Sequence, residues 1–244
     1  MTKLDYVFIL TIKLSLIILT GYAINSFSKP TIDLSGQKSY RVYTHVDLTK
    51  TSNIFLKDEV QDWNIDILVE QLEARAPFVN LIINSPGGYV SSGLKLVNKI
   101  ESLRAQGKLK KLKCYVLNMA ASMAAIISGY CDELYIHKFA MLMHHEASYG
   151  VRGSVSEIRK QVEVTDQMLN PIFDDLARRY GLSGRRTFWN FIGSERWFNA
   201  HDAGRYGLVD GTFQTLYHET DPPKKPKTNG FFDLFGHAIE EIEI

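Results

Sequence analysis

Ile65, Leu68, Val69 and Leu72 recur at the i, i+3, i+4, i+7 interval and predict an amphipathic helix over 64–75. A short apolar run with β-branched residues follows at 78–84 and reads as a buried strand. It stops at Ser85-Pro86-Gly87-Gly88, a turn signal, before a second amphipathic helix over about 92–106. The lysine-rich loop 108–113 then feeds a buried strand at 114–117, a small-residue helix at about 122–130, and strands at 133–136 and 141–144. Two more strands are expected upstream, at 40–46 and 53–56. Strands alternating with helices argue for a layered α/β fold on a parallel sheet. Over 154–180 the pattern is helical again, with Val162, Leu169, Phe173, Leu176 and Tyr180 on a drifting apolar face. Pro171 falls inside that stretch and is expected to kink or divide it.

The two ends differ from this middle. Tyr6 to Ile24 is apolar apart from Lys13, with Lys3 ahead of it, and Leu14 to Thr20 has the character of a signal-sequence core. Residues 1–28 therefore read as a signal sequence or membrane anchor, the competing reading being an apolar helix packed on the domain itself. A full span needs about 20 apolar residues, and Lys13 interrupts this one. Residues 221–227 are rich in Pro and Lys, a solvated linker, and 231–244 form an apolar and acidic tail. The organisation is a leader or anchor at 1–28, a domain at 40–215, and a linker and tail at 216–244.

Composition narrows the function. At 244 residues, 45% hydrophobic and 23% charged, the chain can fill one sizeable core. A net charge of +1 gives no basic surplus for nucleic acid. No G-x-x-x-x-G-K-[ST] loop occurs, so the chain does not itself hydrolyse ATP, and no cofactor or metal cluster is indicated. Cys114 and Cys131 read as two small buried residues; the spacing of parallel strands also admits a disulfide between them.

The chemistry concentrates at three turns. In Asn118-Met-Ala-Ala-Ser-Met-Ala-Ala125 a buried strand enters a helix through very small residues, with Ser122 at the turn. Such an elbow lifts a serine off the sheet edge and sets the next N–H, that of Met123, where it can help bind an oxyanion. The competing reading is that Ser122 only caps the helix. Ser85-Pro86-Gly87-Gly88 sits at the end of a neighbouring strand and offers a second backbone donor from Gly87 or Gly88. Met141-Leu-Met-His-His-Glu146 brings two histidines to a strand end, of which at most one can face Ser122.

These three elements, in this order, resemble the proteolytic subunit of Clp protease, a crotonase-like fold with a protruding handle helix. The family's "INSPGG" is present as Ile83 to Gly88 and its "AASM" as Ala120 to Met123. Its "M-(I/L)-H" strand is matched by Leu142-Met143-His144, its handle helix by 154–180, and its closing "A-x-x-x-G-L-(V/I)-D" by Ala203 to Asp210. The resemblance implies a serine peptidase with Ser122 as nucleophile, His144 as general base, and an oxyanion hole from Gly87 or Gly88 and Met123. Departures accompany it: Asn118 and Ala124 stand where the family has glycine, and no aspartate lies between Asp175 and Asp202, where it places its third triad member. Alignment lands on Phe191, beside Asn190, which becomes the third candidate; Glu195 and Glu146 are the others.

Implied partners are a peptide or unfolded-protein substrate, further copies of the chain as a homo-oligomer, and a membrane at the N-terminus. If residues 1–28 export the domain to the periplasmic side, no ATP-driven unfoldase is available there. Two rivals stand beside this reading. One is a Ser-Lys, signal peptide peptidase-like enzyme, although no lysine lies between Cys114 and His137. The other is an inactive crotonase-like binding or assembly module.

Overall fold

The computed structural model describes residues 40–148 and 152–217; the segment 1–28 and most of the linker and tail lie outside the described residues. Strands β1 (Arg41–Asp47), β8 (Gly211–Tyr217), β5 (Glu133–His137), β4 (Lys111–Ala121), β3 (Phe78–Ser85) and β2 (Asn53–Lys57) line up in that order, all parallel. This is the mostly parallel α/β architecture anticipated from the alternation. Helices α1 (Asp62–Arg75), α2 (Val90–Ala105) and α3 (Met123–Gly129) make the crossover connections that parallel neighbours require.

Alternation along each strand divides two apolar layers. Leu81, Ile83, Cys114 and Val116 face a large core filled from α1 by Ile65, Leu68 and Leu72 and from α2 by Leu96, Val97 and Ile100. Ile82, Tyr115, Tyr135 and Phe213 face the opposite side, in a smaller aromatic cluster. Cys114 and Cys131 are joined as a disulfide, their Cα atoms 5.9 Å apart, so the expectation of two separate thiols gives way to the cross-link.

β4 is longer than its apolar run suggested because it serves two partners. Lys113 to Val116 pair with β5, and Met119 to Ala121 pair with β6 (Met141–His145). On the far side of β6 lies β7 (Glu195–Asn199), the one antiparallel neighbour in the sheet as described. The ribbon β6–β7 therefore hangs from the end of β4, where the chain turns at Ser122.

Helix α4 (Val155–Arg179) opens on a capping box in which the Ser154 hydroxyl accepts from the Glu157 N–H and the Glu157 carboxylate accepts from the Ser154 N–H. It runs unbroken through Pro171 rather than dividing there. Its buried residues are Leu169, Phe173, Leu176 and Ala177, all from position 169 onward, while Val155, Val164 and Met168 ahead of them are exposed. The first half thus projects from the body. Two short helices, α5 (Arg185–Ile192) and α6 (Ala200–Arg205), flank β7. Among the described residues no helix is long and apolar enough to cross a membrane.

Candidate active site

β4 ends in Ala120 and Ala121, both buried, with Ala120 paired to Ser85 at the end of β3. The ladder between β3 and β4 slips between Ile83 and Ser85, which swings the turn 85–88 beneath Ser122. Ser122 itself adopts φ 54° and ψ −123°, a left-handed conformation that L residues rarely take. Its N–H donates to Met143 O at 2.9 Å, which closes the turn against β6.

That conformation aims the hydroxyl at β6. Ser122 Oγ lies 2.7 Å from His145 Nε2, a strong hydrogen bond. The helix-capping reading fails on the same geometry, since the Ser122 side chain makes no capping hydrogen bond to α3. Ser122 and His145 open onto a cleft of about 70 Å³ whose apolar wall includes Ile126, Leu169 and Phe173.

His144, expected from the sequence to be the partner of Ser122, also borders the cleft, but its ring nitrogen is directed at Tyr180 instead of Ser122. It is 2% exposed, its Nε2 is 3.2 Å from the Tyr180 hydroxyl, and Phe188 stands edge-on to its ring. Burial, with His145 beside it, pushes its pKa down to about 3, so it is neutral at ordinary pH. The correction is one of strand register. Adjacent residues of a strand face opposite sides, and the histidine on the side of Ser122 is His145.

The two glycines of the turn divide their duties. Gly87 N–H is already engaged with Ser85 Oγ at 3.2 Å, and Gly87 serves by having no side chain: a Cβ there would stand 2.9 Å from Met123 N. Gly88 lines the cleft, and neither its N–H nor that of Met123 has an acceptor among the described residues. Two backbone donors are therefore left near the serine for an incoming oxygen.

Compared with models of known families, the chain matches that of Clp protease over residues 35–215. The chain belongs to the Clp protease family. Its members are peptidases, and they typically assemble into oligomers and act on peptide or protein substrates. Within the family's strand motif "M-(I/L)-H", shifting the match by one residue sets Met143 on the methionine and His145 on the histidine, with His144 standing at the aliphatic position. Met143 in place of Leu142 at the motif's methionine was the signal that could have found it.

The candidates for a third group also separate. Asn190 is exposed on α5, whose Phe188, Phe191 and Ile192 face inward, and it makes no hydrogen bond to His145 or Ser122 among the described residues. Glu146 follows His145 on the opposite face and lines another cavity with Asp166 and Trp189. Glu195 lies directly across from His145 in the β6–β7 ladder. Because Glu146 N–H bonds to Ser194 O at 3.0 Å, the next pair along, His145 and Glu195, is of the narrow kind, with Cα atoms about 4.5 Å apart and side chains close. The Glu195 carboxylate accepts from Trp197 Nε1 at 2.8 Å; no hydrogen bond joins it to His145 among the described residues. As for a lysine base, none lines the cleft among the described residues.

Proposed function

We propose that this chain is a serine peptidase that cleaves peptide bonds through an acyl-enzyme on Ser122, with His145 as general base. The observation that carries the reading is the 2.7 Å contact between Ser122 Oγ and His145 Nε2 at a left-handed strand-to-helix turn. His145 Nε2 takes the hydroxyl proton as Oγ attacks the substrate carbonyl. The N–H groups of Gly88 and Met123 bind the oxyanion that develops. Collapse of the tetrahedral intermediate passes the proton from His145 to the leaving amine. Water then attacks the ester, again giving its proton to His145, and the Ser122 hydroxyl is restored.

For Nε2 to accept, the proton of neutral His145 must sit on Nδ1, and an acceptor there fixes that tautomer. Glu195 fills this role in the proposal, supported by its position across the narrow pair. In the proposal its side chain turns so that the second carboxylate oxygen accepts from Nδ1, and the charge then stabilises the imidazolium.

For assembly, the proposal is a homo-oligomer joined through the projecting half of α4. For the compartment, it is export or anchoring by residues 1–28, supported by the apolar N-terminal stretch and by the disulfide, a bond that persists in oxidising surroundings. Fractionation of the native host tests this, and recovery of the mature chain with the cytoplasmic enzymes would refute it.

A fluorophosphonate probe, which labels activated serines, tests the chemistry. Ser122→Ala should abolish labelling, and His145→Ala should slow it by about 10²-fold or more. His144→Gln should label at a rate close to the natural chain. Loss of labelling in His144→Gln together with its retention in His145→Ala would overturn the assignment.

A further inference from the structure

We infer that Trp197 is a positioning residue for the third group: its indole N–H holds Glu195 in reach of His145. The inference rests on the reading of Glu195 as the acceptor for His145. A glutamate carries one more rotatable bond than the aspartate of the family, so its carboxylate sweeps a larger volume and pays more entropy to stay in one place. Something must restrain that extra bond.

The strand itself is already fixed. On the inward face of β7, Arg196 donates to Phe191 O at 2.6 Å and to the Tyr206 hydroxyl at 3.1 Å, and its guanidinium stacks on the rings of Phe191, Phe198 and Tyr206. What remains free is the outward face, where residues two apart are neighbours. Trp197 stands there, opposite Met143, as Glu195 stands opposite His145. Its Nε1 donates to Oε1 of Glu195 at 2.8 Å. A carboxylate has two oxygens, so a bond from Trp197 to Oε1 leaves Oε2 for His145 Nδ1. The indole has a single donor and no acceptor, so it cannot compete for the proton that Glu195 is meant to hold.

The test is a double-mutant cycle on the full chain, read by fluorophosphonate inactivation kinetics. Trp197→Phe keeps a ring and removes the N–H; it should lower the maximal inactivation rate by about tenfold, the equivalent of one charge-assisted hydrogen bond. The concentration for half-maximal rate should not move, because the probe does not touch Trp197. In a Glu195→Ala background the same substitution should cost nothing further, and Trp197→His, which retains a ring N–H, should recover part of the rate. An equal loss from Trp197→Phe in both backgrounds would overturn the inference by showing that the ring acts through the fold. If Glu195→Ala slows labelling and Trp197→Phe does not, the tether is wrong and the role of Glu195 stands. If Glu195→Ala labels at the natural rate, the reading of Glu195 fails and takes the tether with it.

Discussion

The backbone of Gly87 passes so close beneath Ser122 that a Cβ on the glycine would stand 2.6 Å from the serine Cβ and 2.6 Å from Ala121 O. Neither neighbour can yield, because one belongs to the elbow and the other is backbone. Gly87 also has φ +94°, which an L side chain rarely adopts. Gly87→Ala should therefore lose labelling by a fluorophosphonate and destabilise the fold by about 1–3 kcal/mol. Urea unfolding and labelling on one preparation check both; a variant of natural stability and reactivity would mean the turn is not packed as described.

A second prediction isolates the strain at the nucleophile. The Ser122 dihedrals are the mirror image of an ordinary extended conformation, and glycine alone adopts both hands at equal cost. Ser122→Gly and Ser122→Ala should be equally dead as enzymes, since both lack the hydroxyl. The glycine variant should nevertheless be the more stable by about 1 kcal/mol, net of the greater freedom glycine gains on unfolding. Comparison of urea midpoints decides it, and an alanine variant at least as stable as the glycine one would show an unstrained turn.

Acid stability should depend on His144. Burial, and His145 next to it, hold its folded pKa at about 3, against 6.5 for the free side chain. Below 6.5 the unfolded chain takes up a proton that the folded chain refuses. The stabilisation is thus complete above pH 6.5 and is lost as pH falls toward 3, at about 1.4 kcal/mol per pH unit. His144→Leu removes this dependence. It should be less stable than the natural chain at pH 7, where the Tyr180 hydroxyl loses its partner. The gap should narrow or reverse by about pH 5. Urea midpoints at the two pH values test this, and a constant gap would contradict it.

Assembly should depend on the projecting half of α4. Val164 and Met168 are 48% and 45% exposed there, apolar area that a second copy would cover. Sedimentation of the natural chain should show an oligomer at micromolar concentration. Val164→Glu combined with Met168→Glu should shift it toward monomer and leave the helix content by circular dichroism unchanged. A natural chain that sediments as a monomer would end this part of the proposal.

The central layers were legible in the sequence because burial there is periodic: the stripe of α1 and the β-branched run of β3 admit one reading each. The elbow at Ser122 was legible only in company: alone it reads equally as a helix cap, and the glycine turn at 85–88 and the histidine strand at 141–146 gave it a catalytic sense. His145 was misread for a physical reason. Met141, Leu142 and Met143 are all apolar, so β6 has no polar alternation to fix which histidine faces which side, and only its pairing with β4 settles it. Glu195 stood only among the alternatives to Asn190 because its place comes from β7, a five-residue strand with a mixed sequence whose register against β6 is set by tertiary packing. The continuity of α4 through Pro171 likewise owes more to the packing of Leu169, Phe173 and Leu176 than to local propensity.

The disulfide encloses the nucleophile: Ser122 lies between Cys114 and Cys131 along the chain. No Lys or Arg occurs from Cys114 to His137, so trypsin, cutting after Lys113 and Lys138, releases one peptide that carries Ser122 and both sulfurs. A single chromatographic peak then reports two states of the same molecule. Probe adduct mass on that peptide counts active serines, and a difference of two hydrogen atoms counts closed rings. Sorting the peptide population by both labels tells whether serine reactivity and ring closure vary together, molecule by molecule, without any substitution in the chain.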